Sequence, residues 1–163
     1  MPDLTQIIST PQLALIRAAF DTGVMDTVLA QSLPSDSPNS QGYVTAIKNA
    51  LTTNLPADIT PGPRLRLSQM DRERVLVAIL ASRSDRLNLA VHLYYALAIG
   101  ISVDEILHVL LLTAIYSGLP TFANALDLAR DAFNVLANLS ASQLDPVSVL
   151  KILRQKFDLP PPN

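Results

Sequence analysis

Cysteine and tryptophan are absent from the 163 residues, and charged residues make up only 16% of them. The missing cysteines exclude disulfide bonds, metal sites with thiolate ligands and catalysis by a cysteine nucleophile. Positive charge is not in surplus either, because 12 Lys and Arg residues stand against 14 Asp and Glu residues. Binding to nucleic acid or to an anionic membrane depends on such a surplus. We therefore expect neither nucleic acid nor a membrane among the partners.

Apolar residues are abundant instead, at 49% of the chain with a mean hydropathy of +0.30. The most apolar stretch, Ile106 to Pro120, is too short to cross a bilayer and contains His108 and Thr113. No basic cluster precedes an apolar run near the N-terminus, so a signal peptide is not expected and the protein is predicted to be cytoplasmic. So much apolar surface with so few charges predicts a homo-oligomer, in which copies cover one another.

Capping residues and prolines divide the chain into helices. Apolar residues recur at spacings of three and four, and no run alternates with period two, so we predict an all-α fold of about six or seven helices. Two further helices are predicted over 24–33 and 43–51, separated by a loop at 34–40 and followed by a connector over 55–67. The predicted caps and stops are Thr10-Pro11, Ser68 with an end near Ser82, Ser84 with Gly100, the capping box Ser102 to Glu105 with Gly118, Pro120, and Asp145-Pro146 with an end near Phe157.

A line of polar residues lies on the helix that follows Ser84. Asp85, Asn88 and His92 are spaced i, i+3 and i+7, which places them on one face. On the preceding helix, Glu73 is in phase with apolar residues and therefore needs a partner. If Glu73 and His92 meet, the carboxylate stabilises the protonated imidazole and the pair can transfer protons near neutral pH. The alternative is a buried histidine held by a structural carboxylate.

Half of the basic residues fall within 23 positions of the chain. Arginines beside a partly buried histidine can orient a carboxylate substrate through paired hydrogen bonds. The alternative is a solvated face or an oligomer contact. The six residues are Arg64, Arg66, Arg72, Arg74, Arg83 and Arg86.

Glu105 and His108, at i and i+3, make up half of a carboxylate-bridged metal site of the helix-bundle type. The second Glu-x-x-His motif that such a site requires is not in the sequence. Glu105 is also explained as a capping residue, so we expect neither a metal nor another cofactor. Tyr94, Tyr95 and Tyr116 are interpreted as core or interface side chains with a hydroxyl at the rim.

Taken together, several segments resemble the carboxymuconolactone decarboxylase family, which also contains the alkylhydroperoxidase D-like proteins. The segments are Asp71-Arg-Glu-Arg74, His92-Leu-Tyr-Tyr-Ala-Leu-Ala-Ile-Gly100, Asp104-Glu-Ile106, Tyr116-Ser-Gly-Leu-Pro120 and Asn124-Ala125. The resemblance covers about two fifths of the chain and implies an all-helical bundle that assembles into trimers or hexamers. It divides a single domain, 1–163, into an N-terminal helical extension (1–60), a family-like core (66–135) and a C-terminal helix and tail (141–163).

The resemblance also implies what the site has lost and kept. Peroxidase members carry two cysteines where this chain has Asp85 and Asn88, and an additional relay histidine where it has Leu87. Since thiolate attack is impossible here, we predict no thiol-dependent peroxidase activity. Decarboxylase members often carry Glu in place of Asn88 and His or Gln in place of Leu112, and this chain departs from that pattern too.

His92 and Glu73 remain as catalytic candidates for decarboxylation or isomerisation of a small organic acid or lactone. The alternative is a non-enzymatic oligomeric scaffold or small-molecule binding protein with a degenerate site. The substrate-binding candidates are Asp85, Asn88, Arg83, Arg86 and Tyr116.

Overall fold

The computed structural model describes residues 4–21, 23–25 and 67–158. The chain divides into two compact units, one made of Met1–Phe20 with Ser68–Asn163 and the other of Asp21–Leu67. In the second unit, the Asp21 side chain accepts hydrogen bonds from the backbone of Gly23 and Val24, where residues 23–25 are helical. The predictions for 26–33, for the loop at 34–40, for the helix at 43–51, and for the connector up to 66 with Arg64 and Arg66 lie outside the described residues.

The first unit is built from helices, and its described residues contain no strand. The all-α prediction is therefore confirmed. The elements are a 3-10 helix at Leu4–Gln6, α1 (Thr10–Ala19), α2 (Gln69–Ser82), α3 (Arg86–Ala98), α4 (Val103–Ser117), α5 (Leu119–Ala137), a 3-10 helix at Ala141–Gln143, and α6 (Pro146–Phe157).

Most of the predicted helix boundaries are present, because they depend on local hydrogen bonds. Ser68 caps α2, and Ser102 with Glu105 forms the complete capping box of α4. Gly100 and Gly118, which follow α3 and α4, have φ values of 106° and 84°, a region that side chains with a Cβ rarely adopt. Asp145 caps α6, which ends at Phe157 as predicted.

Two predicted caps are wrong by one residue. Ser84 does not cap α3; it takes a left-handed φ of 55° in the turn, and the side chain of Asp85 accepts the hydrogen bond from the Asn88 backbone. Likewise, Thr10 is the first helical residue of α1, and Ser9 before it accepts from the backbone of Gln12. In each case the residue with extended backbone, typical of an N-cap, carries the cap.

Helix α3 lies at the centre of the unit and packs against α1, α2, α5 and α6. Nine of its thirteen residues are buried, among them Tyr94, whose hydroxyl donates to the backbone oxygen of Leu144. Its neighbours contribute further fully buried side chains such as Phe133 and Leu136 from α5. Because α3 is fixed on several sides, a side chain at its edge has a well-defined position.

Large apolar side chains remain exposed on α2, α4 and the start of α5, and α2 and α4 pack against each other. We call this set the α2–α4 face. Its members are Val75, Leu76, Ile79, Leu111, Leu112, Ile115, Tyr116 and Leu119. Within the described ranges, every helix is too short or too polar to cross a membrane.

Candidate acid–base site

Glu73 of α2 and His92 of α3 meet across the interface of these two helices. Oε1 of Glu73 lies 2.7 Å from Nδ1 of His92, so the two side chains, whose contact the sequence left open, do meet. The Glu73 side chain is only 5% exposed, whereas the His92 side chain is 19% exposed. The carboxylate is therefore the inner member of the pair and the imidazole the outer one.

The bond fixes which ring nitrogen carries a hydrogen. An ionised carboxylate can only accept hydrogen bonds, so Nδ1 of His92 donates to Glu73. In the neutral imidazole, the lone pair is then on Nε2. No group in the described part of the chain makes a hydrogen bond to Nε2. Nε2 can accept a proton from a bound molecule and, once protonated, return it.

A second pair of side chains lies next to the first. The ring of Tyr95 is 6.4 Å from the His92 ring, centroid to centroid, and tilted by 36° to it. The Tyr95 hydroxyl accepts a hydrogen bond of 2.9 Å from Nε2 of Gln69. Gln69 precedes Glu73 by one turn of α2, and Tyr95 follows His92 by one turn of α3. Gln69 was not predicted from the sequence, and Tyr95 was interpreted only as a core or interface side chain; their spacing from Glu73 and His92 was the available signal.

Asp85 and Asn88 share the edge of α3 with His92 but bond to each other. Oδ1 of Asp85 accepts from the backbone of Asn88, and Oδ2 accepts from the Asn88 side-chain amide at 2.8 Å. Asn88 is exposed one turn before His92. These two residues thus begin the helix that carries His92, and a role in substrate binding stays a prediction.

The arginines of the cluster are in different environments. Arg83 is the C-cap residue after α2 and is exposed, as is Arg86 at the start of α3. Arg86 precedes His92 by six residues, so its side chain leaves α3 about 120° around the helix from the imidazole. Arg72 is half-buried on α2. The roles of Arg83 and Arg86 toward a substrate stay predictions.

Arg74 is committed to a structural ion-pair network. Its guanidinium lies 2.7 Å from Asp71 and 2.6 Å from Glu105, linking α2 to the first turn of α4. Hydrogen bonds from the Ser102 backbone and from Arg74 lower the pKa of Glu105 to about 2. Hydrogen bonds from the Ser68 side chain and from Arg74 likewise lower the pKa of Asp71. Glu105 is therefore fully explained by capping and ion pairing.

The remaining candidates lie on α4. Tyr116, a predicted substrate-binding residue, is 90% exposed near the end of this helix and belongs to the α2–α4 face. His108 is exposed on the outer side of α4. Among the residues that the structure describes, no group of three or more His, Asp or Glu side chains is arranged to hold a metal ion.

Comparison with known proteins identifies a family. The model of the family described as "Carboxymuconolactone decarboxylase family" matches residues 49–131, just over half of the chain. This range includes α2, α3, α4 and the first two thirds of α5, and therefore both Glu73 and His92. No curated protein and no solved structure matches the chain. Helices α1 and α6 lie outside the matched range.

Proposed function

The chain belongs to the carboxymuconolactone decarboxylase family, and from that membership we propose that it is an acid–base enzyme acting on a small organic acid or lactone. The proposed reaction is a decarboxylation or an isomerisation in which His92 transfers the proton through Nε2. The observation that carries the proposal is the 2.7 Å bond between Glu73 and Nδ1 of an imidazole that keeps 19% of its surface exposed.

The chemistry follows from this geometry. In an isomerisation, Nε2 takes a proton from the carbon next to a carbonyl or carboxyl group, and the electron pair moves into the conjugated system. Protonated Nε2 exchanges its hydrogen with water and then returns a proton to another carbon. In a decarboxylation, the bond to the departing carboxylate breaks, its electron pair stays on the substrate carbon, and protonated Nε2 supplies the proton that replaces CO2. Glu73 acts through His92 as a positioning residue, because it fixes the tautomer and balances the charge of the imidazolium.

Peroxide reduction by a thiol has no place in this proposal. The attacking group in such a reaction is a thiolate, and the chain contains no cysteine. At the two positions where the resemblance places the cysteines, Asp85 and Asn88 bond to each other at the start of α3. Purified protein supplied with a hydroperoxide and a dithiol reductant is expected to show no turnover.

For the substrate carboxylate we propose Arg83, which is exposed in the turn before α3, Arg86, which is exposed at the start of α3, and Asn88, which is one turn from His92. A planar guanidinium pairs with both oxygens of a carboxylate, which orients the acid. Asp85 and Tyr116 complete the proposed set of substrate-binding residues. Asp85 would act through Asn88, to which it is bonded.

An oligomeric scaffold or small-molecule binding protein is the second candidate, and the α2–α4 face favours it. At about 180 Å² for each fully exposed large side chain, its eight members leave on the order of 800 Å² exposed. That area equals what one partner contributes to a standard interface. We propose that copies of the chain, as a trimer or hexamer, cover this face whether or not the site is catalytic.

A thermal-shift screen of small carboxylates and lactones tests the enzyme proposal. A ligand at 100 times its Kd stabilises the native protein by about 2.7 kcal/mol and raises Tm by several degrees. The rise should vanish in His92→Gln and persist in His108→Gln, which changes the only other histidine. For each ligand found, ¹H NMR in D2O should show deuterium entering the carbon skeleton with native protein but not with His92→Gln.

Light scattering coupled to gel filtration tests whether copies of the chain cover the α2–α4 face. Ile115→Asp places a charge in the α2–α4 face and should reduce the oligomer to smaller species. Val147→Asp is the control, because Val147 is another exposed β-branched residue and lies on α6 outside this face. If Ile115→Asp dissociates the protein while no carboxylate or lactone binds, the scaffold candidate replaces the enzyme.

A further inference from the structure

Helix α1 lies outside the family-matched range yet contacts the helix that carries His92. Ile16 of α1 is fully buried. Nε2 of Gln12 donates to the backbone oxygens of Leu136 and Leu139 at the end of α5, at 2.8 and 3.0 Å.

Nε of Arg17 donates to the backbone oxygen of Leu97 in the last turn of α3. A cation there is favourable because helix C-termini carry partial negative charge. These contacts dock α1 onto the ends of two core helices.

The end of α1 reaches the candidate site through a series of aromatic rings. Phe20 follows α1 and packs edge-on against Tyr94 and Tyr95, with centroids 5.7 and 5.1 Å away. Tyr95 in turn lies against the imidazole of His92. Phe20, Tyr95 and His92 therefore form a continuous series of ring contacts from α1 to the site.

We propose that α1 is a positioning element for the Glu73–His92 pair. It acts through two positioning residues, Phe20 at its own end and Tyr95 of α3. Phe20 and the hydrogen bond from Gln69 hold the Tyr95 ring at two points. The fixed Tyr95 ring restricts rotation of the neighbouring imidazole, which keeps Nδ1 directed at Glu73. The inference rests on the proposed function for its importance to catalysis, since it explains how Nε2 is presented, but the positioning can be measured with no substrate present.

The expected change in the tautomer ratio follows from the strength of such ring contacts, whose loss shifts an equilibrium constant by about twofold to tenfold. The measurement is a long-range ¹H–¹⁵N correlation spectrum of protein labelled at histidine, recorded at alkaline pH, where it gives the ratio of Nδ1–H to Nε2–H tautomers for each ring. In native protein, His92 should be mainly the Nδ1–H form. In Phe20→Leu this ratio should fall about twofold to tenfold, because the Tyr95 ring loses its edge-on contact with the Phe20 ring.

The chain supplies its own controls. His108 is exposed on α4 and should give the same tautomer ratio in every variant. Gln12→Met removes an anchor of α1 two turns from Phe20 but keeps the ring contacts, so Tm should fall while the His92 ratio changes much less than in Phe20→Leu. Phe20→Met keeps a large apolar side chain without a ring and gives the same readout if Phe20→Leu does not fold.

The two proposals fail in distinguishable ways. An unchanged His92 ratio in a folded Phe20 variant would overturn the positioning role, even if carboxylates or lactones bind through His92. A reduced ratio together with no binding and no turnover would retain the positioning role and refute the enzyme proposal.

Discussion

Replacing His92 by leucine should destabilise the protein through the charge that it leaves behind. The Glu73 carboxylate is only 5% exposed and would lose its imidazole partner. Removing one member of a buried ion pair costs about 3–5 kcal/mol. Because the His92 side chain is itself a fifth exposed, we expect the lower part of that range or slightly less, about 2–3 kcal/mol of unfolding free energy.

Replacing Glu73 by leucine should cost less unfolding free energy than replacing His92. Glu73→Leu removes the buried charge and leaves a neutral imidazole that can reach water, so we expect a loss of about 1 kcal/mol. In the double variant neither the charge nor its unmet hydrogen bonds remain. It should therefore be more stable than His92→Leu alone, and the coupling energy between the two sites should be about 2 kcal/mol.

Urea unfolding followed by circular dichroism, at one fixed protein concentration, measures all four corners of this cycle. The control is the same cycle on Asp71 and Arg74, whose side chains are 49% and 30% exposed. Exposed pairs of this kind are worth less than about 1 kcal/mol. A coupling for Glu73 and His92 no larger than that of the surface pair would refute the interpretation that Glu73 is a buried charge held by the imidazole.

Three further predictions concern stability. The pKa of Glu105 is about 2 in the folded protein, against 4.5 for an unperturbed glutamate. As the pH falls, the unfolded chain therefore binds the proton first. This carboxylate stabilises the fold above about pH 4.5, and that stabilisation is lost as the pH falls toward 2. Between those values the Tm of native protein should fall further than that of Glu105→Gln; parallel Tm curves would contradict this. Gly100→Ala should cost about 1–2 kcal/mol in urea unfolding because φ is 106°, although no atom of the described residues lies closer than 3.9 Å to the added Cβ. An unchanged midpoint would show that the backbone adapts. Ser102→Ala should cost about 1 kcal/mol by removing the capping box of α4, whereas Ser82→Ala, at an exposed serine late in α2, should be near neutral in the same assay.

The helices could be predicted from the sequence where one residue type decides the boundary. The capping box of Ser102 and Glu105 and the proline after Asp145 each leave a single local solution, and both are present. The prediction failed where two neighbouring residues are both good caps. At Ser84 and Asp85 the choice depends on which one has the extended backbone, and the turn after α2 decides that.

The site, like the helix boundaries, was predictable only where a single residue carried a clear signal. Glu73 is a carboxylate on an apolar stripe, and burial without a partner is so costly that a partner could be inferred from the sequence. Tyr95 gave no such signal, since an aromatic residue in a nearly all-apolar helix has the pattern of a core residue. The contact of Phe20 with Tyr95 joins positions 75 residues apart, and no local pattern in the sequence encodes it.

The unequal burial of Glu73 and His92 is the strongest argument that this pair handles protons rather than only holding two helices together. Enclosing both members would desolvate both charges and would leave neither ring nitrogen accessible to a bound molecule. Here the acceptor is enclosed and the imidazole keeps a fifth of its surface. At the same time Asp85 and Asn88, which by resemblance occupy the positions of the reactive cysteines, satisfy each other as a helix cap. The helix start is thus structural, and one turn farther along the same edge of α3 the imidazole is bonded to the carboxylate that the proposed proton transfer requires.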